Sequence, residues 1–146
     1  MPDIIFHIGY EKTATTYLQK HVFPQIQALG NQSGLPGAKA LTEEIKHTVV
    51  DHPAHIWEAE AGKAIADRIE EIGVGDPILY SGEHLLLAPI WLSPHKNHRP
   101  PEKYDFAIAE HLESFANNSW GSRGSVYVIV TIRQQARWLA SMYAQR

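Results

Sequence analysis

The stretch that decides the fold is GYEKTATT, residues 9–16 of the 146-residue chain. The apolar run IIFHI at 4–8 precedes it and is typical of a short buried strand, and YLQKHVF at 17–23 can continue as a helix. Backbone N–H groups at the start of a helix point outward unpaired, and the helix dipole adds partial positive charge there. Because Lys12 adds a full charge and the threonines add hydroxyl donors, the stretch predicts a cradle for a phosphate-type anion.

Two later apolar runs also have the character of buried strands, ILY at 78–80 and VYVIVTI at 126–132. The second is continuous and β-branched, which is typical of a parallel strand covered on both faces. Helical patterns are predicted at 15–29, 42–50, 57–72, 106–115 and 134–146. This alternation predicts the α/β class, with a three-layer arrangement of a parallel β-sheet flanked by helices in a single domain, 1–146.

Several local expectations accompany this fold. Thr42 is the expected cap of the helix at 42–50, and Ala61, Ile65, Ile69 and Ile72 form the apolar stripe of the helix at 57–72. His7, inside the first strand, is expected to be a satisfied core histidine. The segment 85–101 contains four prolines and is expected to be an irregular excursion on the acceptor side of the site.

Composition narrows the classes of function. The chain is 44% apolar and 20% charged, with a net charge of −3, so nothing indicates a general attraction to nucleic acid or anionic membranes. It has no cysteine, and its nine histidines are scattered without a metal-ligand spacing, so no metal site is expected. Neither a signal peptide nor a membrane span is seen, and the cytoplasm is the expected location.

The residues that follow the strands suggest a shared crevice. Ligands of open α/β sheets bind outside the carboxyl ends of the strands. Arg133 directly follows the third apolar run, and Ser141 comes eight residues later, a little over two helical turns, so the two can lie on one side of a helix. Glu83 and His84 follow the second run in the same way.

Residues 9–16 resemble the 5′-phosphosulfate loop of the sulfotransferases that use 3′-phosphoadenosine 5′-phosphosulfate (PAPS), usually Gly-x-x-Lys-Thr-Gly-Thr-Thr. Ala14 stands where that family usually has glycine. The segment 128–143 resembles the 3′-phosphate-binding segment of the same enzymes, where an arginine at a strand end and a serine eight residues on hold the phosphate. The resemblance implies a P-loop NTPase-like fold, and it implies that the chain lacks the C-terminal part the family usually has.

The resemblance also implies the roles of individual residues. The PAPS-binding residues would be Gly9, Lys12, Thr13, Ala14, Thr15, Thr16, Arg133 and Ser141. The catalytic residues would be Lys12, which stabilises the departing phosphate, and Glu83 or His84, which removes the proton from the acceptor. The implied reaction moves a sulfuryl group to a hydroxyl or amine acceptor, with a carbohydrate among the candidates, and requires no metal.

Two other functions remain open from the residues alone. One is a P-loop-type nucleotide-dependent phosphotransferase, although Lys12 comes three residues after Gly9 with no second glycine before it, unlike a Walker A loop. The other is a non-catalytic domain that keeps the nucleotide cleft only for binding. Glu83 also has an alternative role, as a helix cap or as part of a structural ion pair. The oligomeric state is not indicated.

Overall fold

The computed structural model describes residues 2–9, 15–26, 36–73, 75–82 and 107–132. In chain order the elements are strand β1 (Ile4–Gly9), a short helix α1 (Thr15–Tyr17), a π-helical segment (Leu18–Val22), a 3-10 turn (Phe23–Gln25), helix α2 (Pro36–Asp51), a 3-10 segment (Ala54–Glu58), helix α3 (Glu60–Ile72), strand β2 (Ile78–Ser81), helix α4 (Ala107–Ser114), a second π-helical segment (Phe115–Trp120) and strand β3 (Val126–Thr131).

The three strands form one parallel sheet in the order β2-β1-β3, with the N-terminal strand between the other two. Ile4 of β1 is level with Ile78 of β2 and with Val126 of β3. A parallel pair needs a long crossover connection, and here helical segments lie between the strands in sequence. The predicted α/β class and parallel sheet are therefore confirmed.

Two neighbouring residues of β1 contact helical segments on opposite faces of the sheet. Phe6 packs edge-on against Phe115, with ring centroids 5.6 Å apart, whereas the neighbouring His7 packs edge-on against Phe23 at 5.0 Å. Successive side chains of a strand point to opposite faces, so the two contacts lie on different sides. The Phe6 side holds the larger aromatic group, in which Trp57 lies 4.9 Å and Trp120 lies 5.4 Å from Phe115.

The first predicted helix, at 15–29, is not a regular α-helix. After one α-helical turn the backbone widens into the π-helical segment Leu18–Val22 and then tightens into the 3-10 turn Phe23–Gln25. Pro24 explains the change, because proline cannot donate the backbone hydrogen bond and its ring clashes with the carbonyl four residues earlier. The predicted continuation to residue 29 fails at Gln25, where this helical stretch ends.

Helix α2 begins earlier than expected, at Pro36 rather than near Thr42. Proline is well tolerated in the first turn because its missing N–H has no partner there in any helix. Thr42 therefore lies inside the helix, and its predicted role as the cap is wrong.

Helix α3 confirms the most regular helical pattern, but it begins at Glu60 rather than at Trp57, and its buried stripe is rotated. Gly62, Ala66 and Ile69 are buried, whereas Ala61 is exposed and Ile65 only partly buried. A Cβ atom at Gly62 would overlap the carbonyl oxygen of Ile56, so the helix crosses the preceding 3-10 segment at backbone contact. The helix ends as predicted at Gly73, whose N–H donates to the carbonyl of Ile69 at 2.9 Å.

A turn at 121–124 leads into β3 and is tied to α3 by Arg123. Its guanidinium hydrogen-bonds to Asp67, and to Glu70 at 2.8 Å, and it lies over the ring of Trp120 at 5.9 Å from the centroid. The side chain is only 17% exposed, so these contacts are partly shielded from water. These contacts attach the turn that precedes β3 to helix α3.

Strand β3 differs from the prediction that both of its faces are covered. Its side chains from Tyr127 to Val130 are each about half exposed, between 45% and 52%. Among the described strands it pairs with β1 alone, so it lies at one side of the sheet. An apolar groove of about 570 Å³ runs between this strand and α4, lined mainly by aliphatic side chains.

The predicted helix at 134–146 and the predicted excursion at 85–101 lie outside the described residues. Within the part of the chain that the structure describes, no helix is long and apolar enough to cross a bilayer. The same part contains no group of three or more histidine, aspartate or glutamate side chains arranged to hold a metal ion.

Candidate functional site

The candidate site lies at the carboxyl edge of the sheet, where β1 and β3 end level with each other and β2 ends two residues earlier. Gly9, the last residue of β1, is level with Thr131 of β3, and His7 is level with Ser81, the last residue of β2. Because the strands are parallel, the segments that follow them leave the sheet at the same edge. This is the edge at which open α/β sheets bind their ligands.

The predicted site residues attach to this edge in three groups. Gly9 opens the predicted anion loop and Thr15 and Thr16 begin the first helical segment, with Thr16 exposed. Ser81 and Gly82 lead to the predicted base, and Ile132 is followed directly by Arg133. The structure thus brings together the backbone positions that belong to each group or directly precede it. The remaining predicted residues lie outside the described parts: Lys12, Thr13, Ala14, Glu83, His84, Arg133 and Ser141.

Three polar side chains at this edge form a cluster that sequence reasoning did not find as a unit. The Nδ1 atom of His7 lies 2.7 Å from the Oγ atom of Ser81. The side-chain amide of Gln19, in the first π-helical segment, donates to the same Oγ at 3.0 Å and to the Ser81 carbonyl at 3.1 Å. We call these three residues the β1–β2 cluster. It joins β1, β2 and the helical stretch that follows the predicted anion loop.

The environment of His7 favours its neutral form. The side chain is fully buried, and this burial lowers the pKa of the ring because a charged imidazolium loses its hydration there. The prediction of a core histidine is confirmed as regards burial. Only one ring nitrogen is satisfied, however, since Nε2 has no hydrogen-bond partner within the described part of the chain.

Gly82 directly follows β2 and packs closely against its neighbours. Its N–H donates to the carbonyl of His7 at 3.0 Å, which extends the ladder one residue past the strand. A Cβ atom at this position would overlap the phenol oxygen of Tyr80. Burial, with a smaller contribution from the charge of Glu43, raises the pKa of that phenol, so Tyr80 stays neutral. A larger residue than glycine at position 82 would therefore require the ring of Tyr80 to shift.

The sequence did not predict that the residues of the β1–β2 cluster contact one another. Ser81 lies two residues before the predicted base Glu83, but the sequence assigned it no role. Gln19 gave no signal, because a single glutamine on a helical pattern is usually a solvated residue. Its contact with Ser81 spans 62 positions in the chain and depends on how the first helical stretch packs over the sheet.

Comparisons of the chain with protein-family models, with curated proteins and with solved structures gave no match.

Proposed function

We propose that the chain is a PAPS-dependent sulfotransferase domain with a P-loop NTPase-like arrangement of its sheet. The observation that carries the proposal is the common carboxyl edge of three parallel strands, with β1 in the centre. The loop 9–16 leaves from the central strand, the segment with Glu83 leaves from β2, and Arg133 follows β3. In the proposal these three motifs, which are far apart in sequence, share one crevice at that edge.

The strand order supports the assignment of different parts of the bound donor to different strands. Neighbouring strands lie about 4.8 Å apart, so the ends of β2 and β3 are separated by about 10 Å across β1. In the proposed arrangement Lys12 and the loop amides bind the 5′-phosphosulfate over β1. Arg133 and Ser141 bind the 3′-phosphate beside β3, because a planar guanidinium can grip two phosphate oxygens.

The β2 side would then face the acceptor. Sulfuryl transfer requires the acceptor hydroxyl to lose its proton as its oxygen attacks sulfur, while the bond from sulfur to the bridging phosphate oxygen breaks. Glu83, or His84 in its place, accepts that proton, and Lys12 stabilises the charge that develops on the departing 3′-phosphoadenosine 5′-phosphate. The scheme assigns no step to a metal ion.

Calorimetry with 3′-phosphoadenosine 5′-phosphate tests the proposal directly. We expect binding without added Mg²⁺, and weaker binding of adenosine 5′-phosphate, which lacks the 3′-phosphate. A folded sample that binds neither nucleotide, or both equally, would contradict the proposal. Binding of ATP that depends on Mg²⁺ would favour a phosphotransferase instead.

Three substitutions separate the proposed roles. Arg133→Ala should weaken binding of the 3′-phosphorylated nucleotide about tenfold or more, since a charge-assisted contact is worth roughly 1.5–3 kcal/mol, and should leave adenosine 5′-phosphosulfate nearly unaffected. Lys12→Ala should weaken both. Glu83→Gln should spare nucleotide binding and abolish transfer of labelled sulfate to a panel of hydroxyl acceptors.

Matched control variants come from helix α3. Arg68 is exposed and pairs with Glu44, and Lys63 is exposed and pairs with Glu60. Arg68→Ala and Lys63→Ala each remove one positive charge from an exposed ion pair outside the proposed site, so both should bind nucleotide normally. If they weaken binding as much as the site variants do, the effect reflects net charge and the assignment of a local site is wrong.

A further inference from the structure

The β1–β2 cluster of His7, Gln19 and Ser81 has no role in the scheme above, although it lies at the same edge of the sheet. Three of its polar side-chain atoms contact one another: the Nδ1 atom of His7, the Oγ atom of Ser81 and the amide nitrogen of Gln19. Gln19 directs its amide nitrogen to both oxygens of Ser81, at 3.0 and 3.1 Å, and His7 approaches the Ser81 hydroxyl at 2.7 Å. The side chain of Ser81 is partly buried and that of His7 fully buried.

The position of one proton decides what Ser81 can do. A serine hydroxyl has one hydrogen to donate and two lone pairs to accept with. Gln19 occupies one lone pair. A neutral His7 either accepts the hydroxyl hydrogen at Nδ1, which leaves Nε2–H buried, or donates its own Nδ1–H to the second lone pair, which leaves Nε2 as a bare acceptor.

The burial of Nε2 favours the second tautomer. Nε2 has no partner among the described residues, and it lies in a ring that packs edge-on against Phe23. An orphaned buried N–H group is rarer than an under-satisfied acceptor, and an aromatic ring is at best a weak acceptor for an N–H. In this tautomer both lone pairs of Ser81 Oγ are occupied. Its hydrogen must then point out of the cluster.

We propose that the Ser81 hydroxyl donates a hydrogen bond to an anionic oxygen of the sulfuryl group on the bound donor, with His7 and Gln19 as its positioning residues. The inference rests on the proposed function. Ser81 ends the strand that leads, two residues later, to the predicted base Glu83, and the base must face the sulfur that the acceptor attacks. The hydroxyl therefore lies at the sulfuryl end of the crevice and across β1 from the end assigned to the 3′-phosphate.

The first test reads the tautomer in the intact wild-type protein. Long-range ¹H–¹⁵N correlation spectra distinguish a protonated Nδ1 from a protonated Nε2 in a histidine ring. We expect His7 to carry its proton on Nδ1 at neutral pH. A proton on Nε2 would overturn the proposal, because the Ser81 hydrogen would then be committed to His7.

The second test compares two nucleotides that differ only in the sulfuryl group. Ser81→Ala should weaken PAPS binding about tenfold or more, as expected for a hydrogen bond to a charged group, and should change the affinity for 3′-phosphoadenosine 5′-phosphate less than twofold. Ser81→Thr, which keeps the hydroxyl, should bind PAPS like the wild type. Ser114→Ala serves as the matched control, because it removes a hydroxyl on α4 that contacts only Asn118 in the described structure.

The outcomes are distinguishable from failure of the proposed function. If wild-type protein binds neither nucleotide, the sulfotransferase proposal itself fails and this inference falls with it. If the wild type binds both and Ser81→Ala weakens both equally, or neither, only the role of Ser81 is wrong. Should Ser81→Ala not fold, Ser81→Thr and the His7 spectrum decide the matter.

Discussion

Acid should destabilise this protein through two buried histidines, His7 and His111. His111 is 3% exposed and its Nδ1 accepts a hydrogen bond from the indole N–H of Trp57 at 3.1 Å. Burial lowers the pKa of the His111 ring, and the hydrogen bond it makes to the backbone of His52 and the charge of Glu110 offset this only in part. Protonation at Nδ1 would place two hydrogen-bond donors, the new Nδ1–H group and the indole N–H of Trp57, against each other.

The sign and size of the effect follow from linkage. Both pKa values are lowered in the folded state, so the stabilisation is fully present above the unfolded value of about 6.5 and is lost as the pH falls below it. If a ring stays neutral in the folded protein over this range, its contribution lowers the unfolding free energy by about 1.4 kcal/mol between pH 7.5 and 5.5. For two rings the limit is about 2.7 kcal/mol, a large part of the 5–15 kcal/mol typical of a domain.

Urea unfolding followed by circular dichroism at pH 7.5, 6.5 and 5.5 measures this slope. His111→Gln should remove about half of it, because a glutamine can accept from Trp57 and donate to the His52 backbone without titrating. The exposed His55 supplies the matched control, and His55→Gln should leave the slope unchanged. An unfolding free energy that stays flat over this range, or an equal loss of slope in both variants, would refute the reasoning.

Three further predictions concern packing and are measured by urea unfolding at pH 7.5. Gly62→Ala should cost roughly 1–3 kcal/mol, since the added methyl meets the backbone of the preceding segment, and an unchanged midpoint would contradict that close approach. Arg123→Met should cost roughly 1–3 kcal/mol, because it leaves two carboxylates without their shared partner, whereas Lys63→Met at an exposed pair should cost less than about 1 kcal/mol. Trp57→Phe should cost at least about 1–3 kcal/mol by leaving the His111 acceptor unpaired, and a fully stable variant would show that this hydrogen bond contributes little.

Much of the fold could be predicted from periodicity and composition. The three strands and their parallel pairing follow from short apolar runs that alternate with helical patterns along the chain. The regular helix α3 and its end at Gly73 follow from helical spacing and a glycine stop. The predictions that were wrong concern local features that depend on tertiary packing or on the tolerance of a helix end. A buried face that includes Gly62 is invisible to a pattern that counts apolar side chains, and the start of α2 depends on the tolerance of its first turn for Pro36.

The candidate site was predictable in part for the same reason. The placement of Gly9 and of the segments before Glu83 and Arg133 at one edge follows from strand, turn and helix order alone. The β1–β2 cluster was not predictable, because Gln19 reaches Ser81 only through a π-helical widening that no propensity indicates. The half-exposed β3 also departed from the sequence-based expectation, since a run of β-branched residues does not tell which neighbours a strand has.

The central place of β1 has a consequence for the order in which the molecule can assemble. Strand β1 is synthesised long before the strands that it pairs with, as the contacts from His7 to Ser81 and from Asp3 to Ser125 span 74 and 122 positions. Pairings of such long separation form slowly, because loop closure must precede any gain from the contact. This apolar strand thus remains unpaired until β2 and β3 have been made, and chaperones that hold extended apolar segments have their longest opportunity at β1.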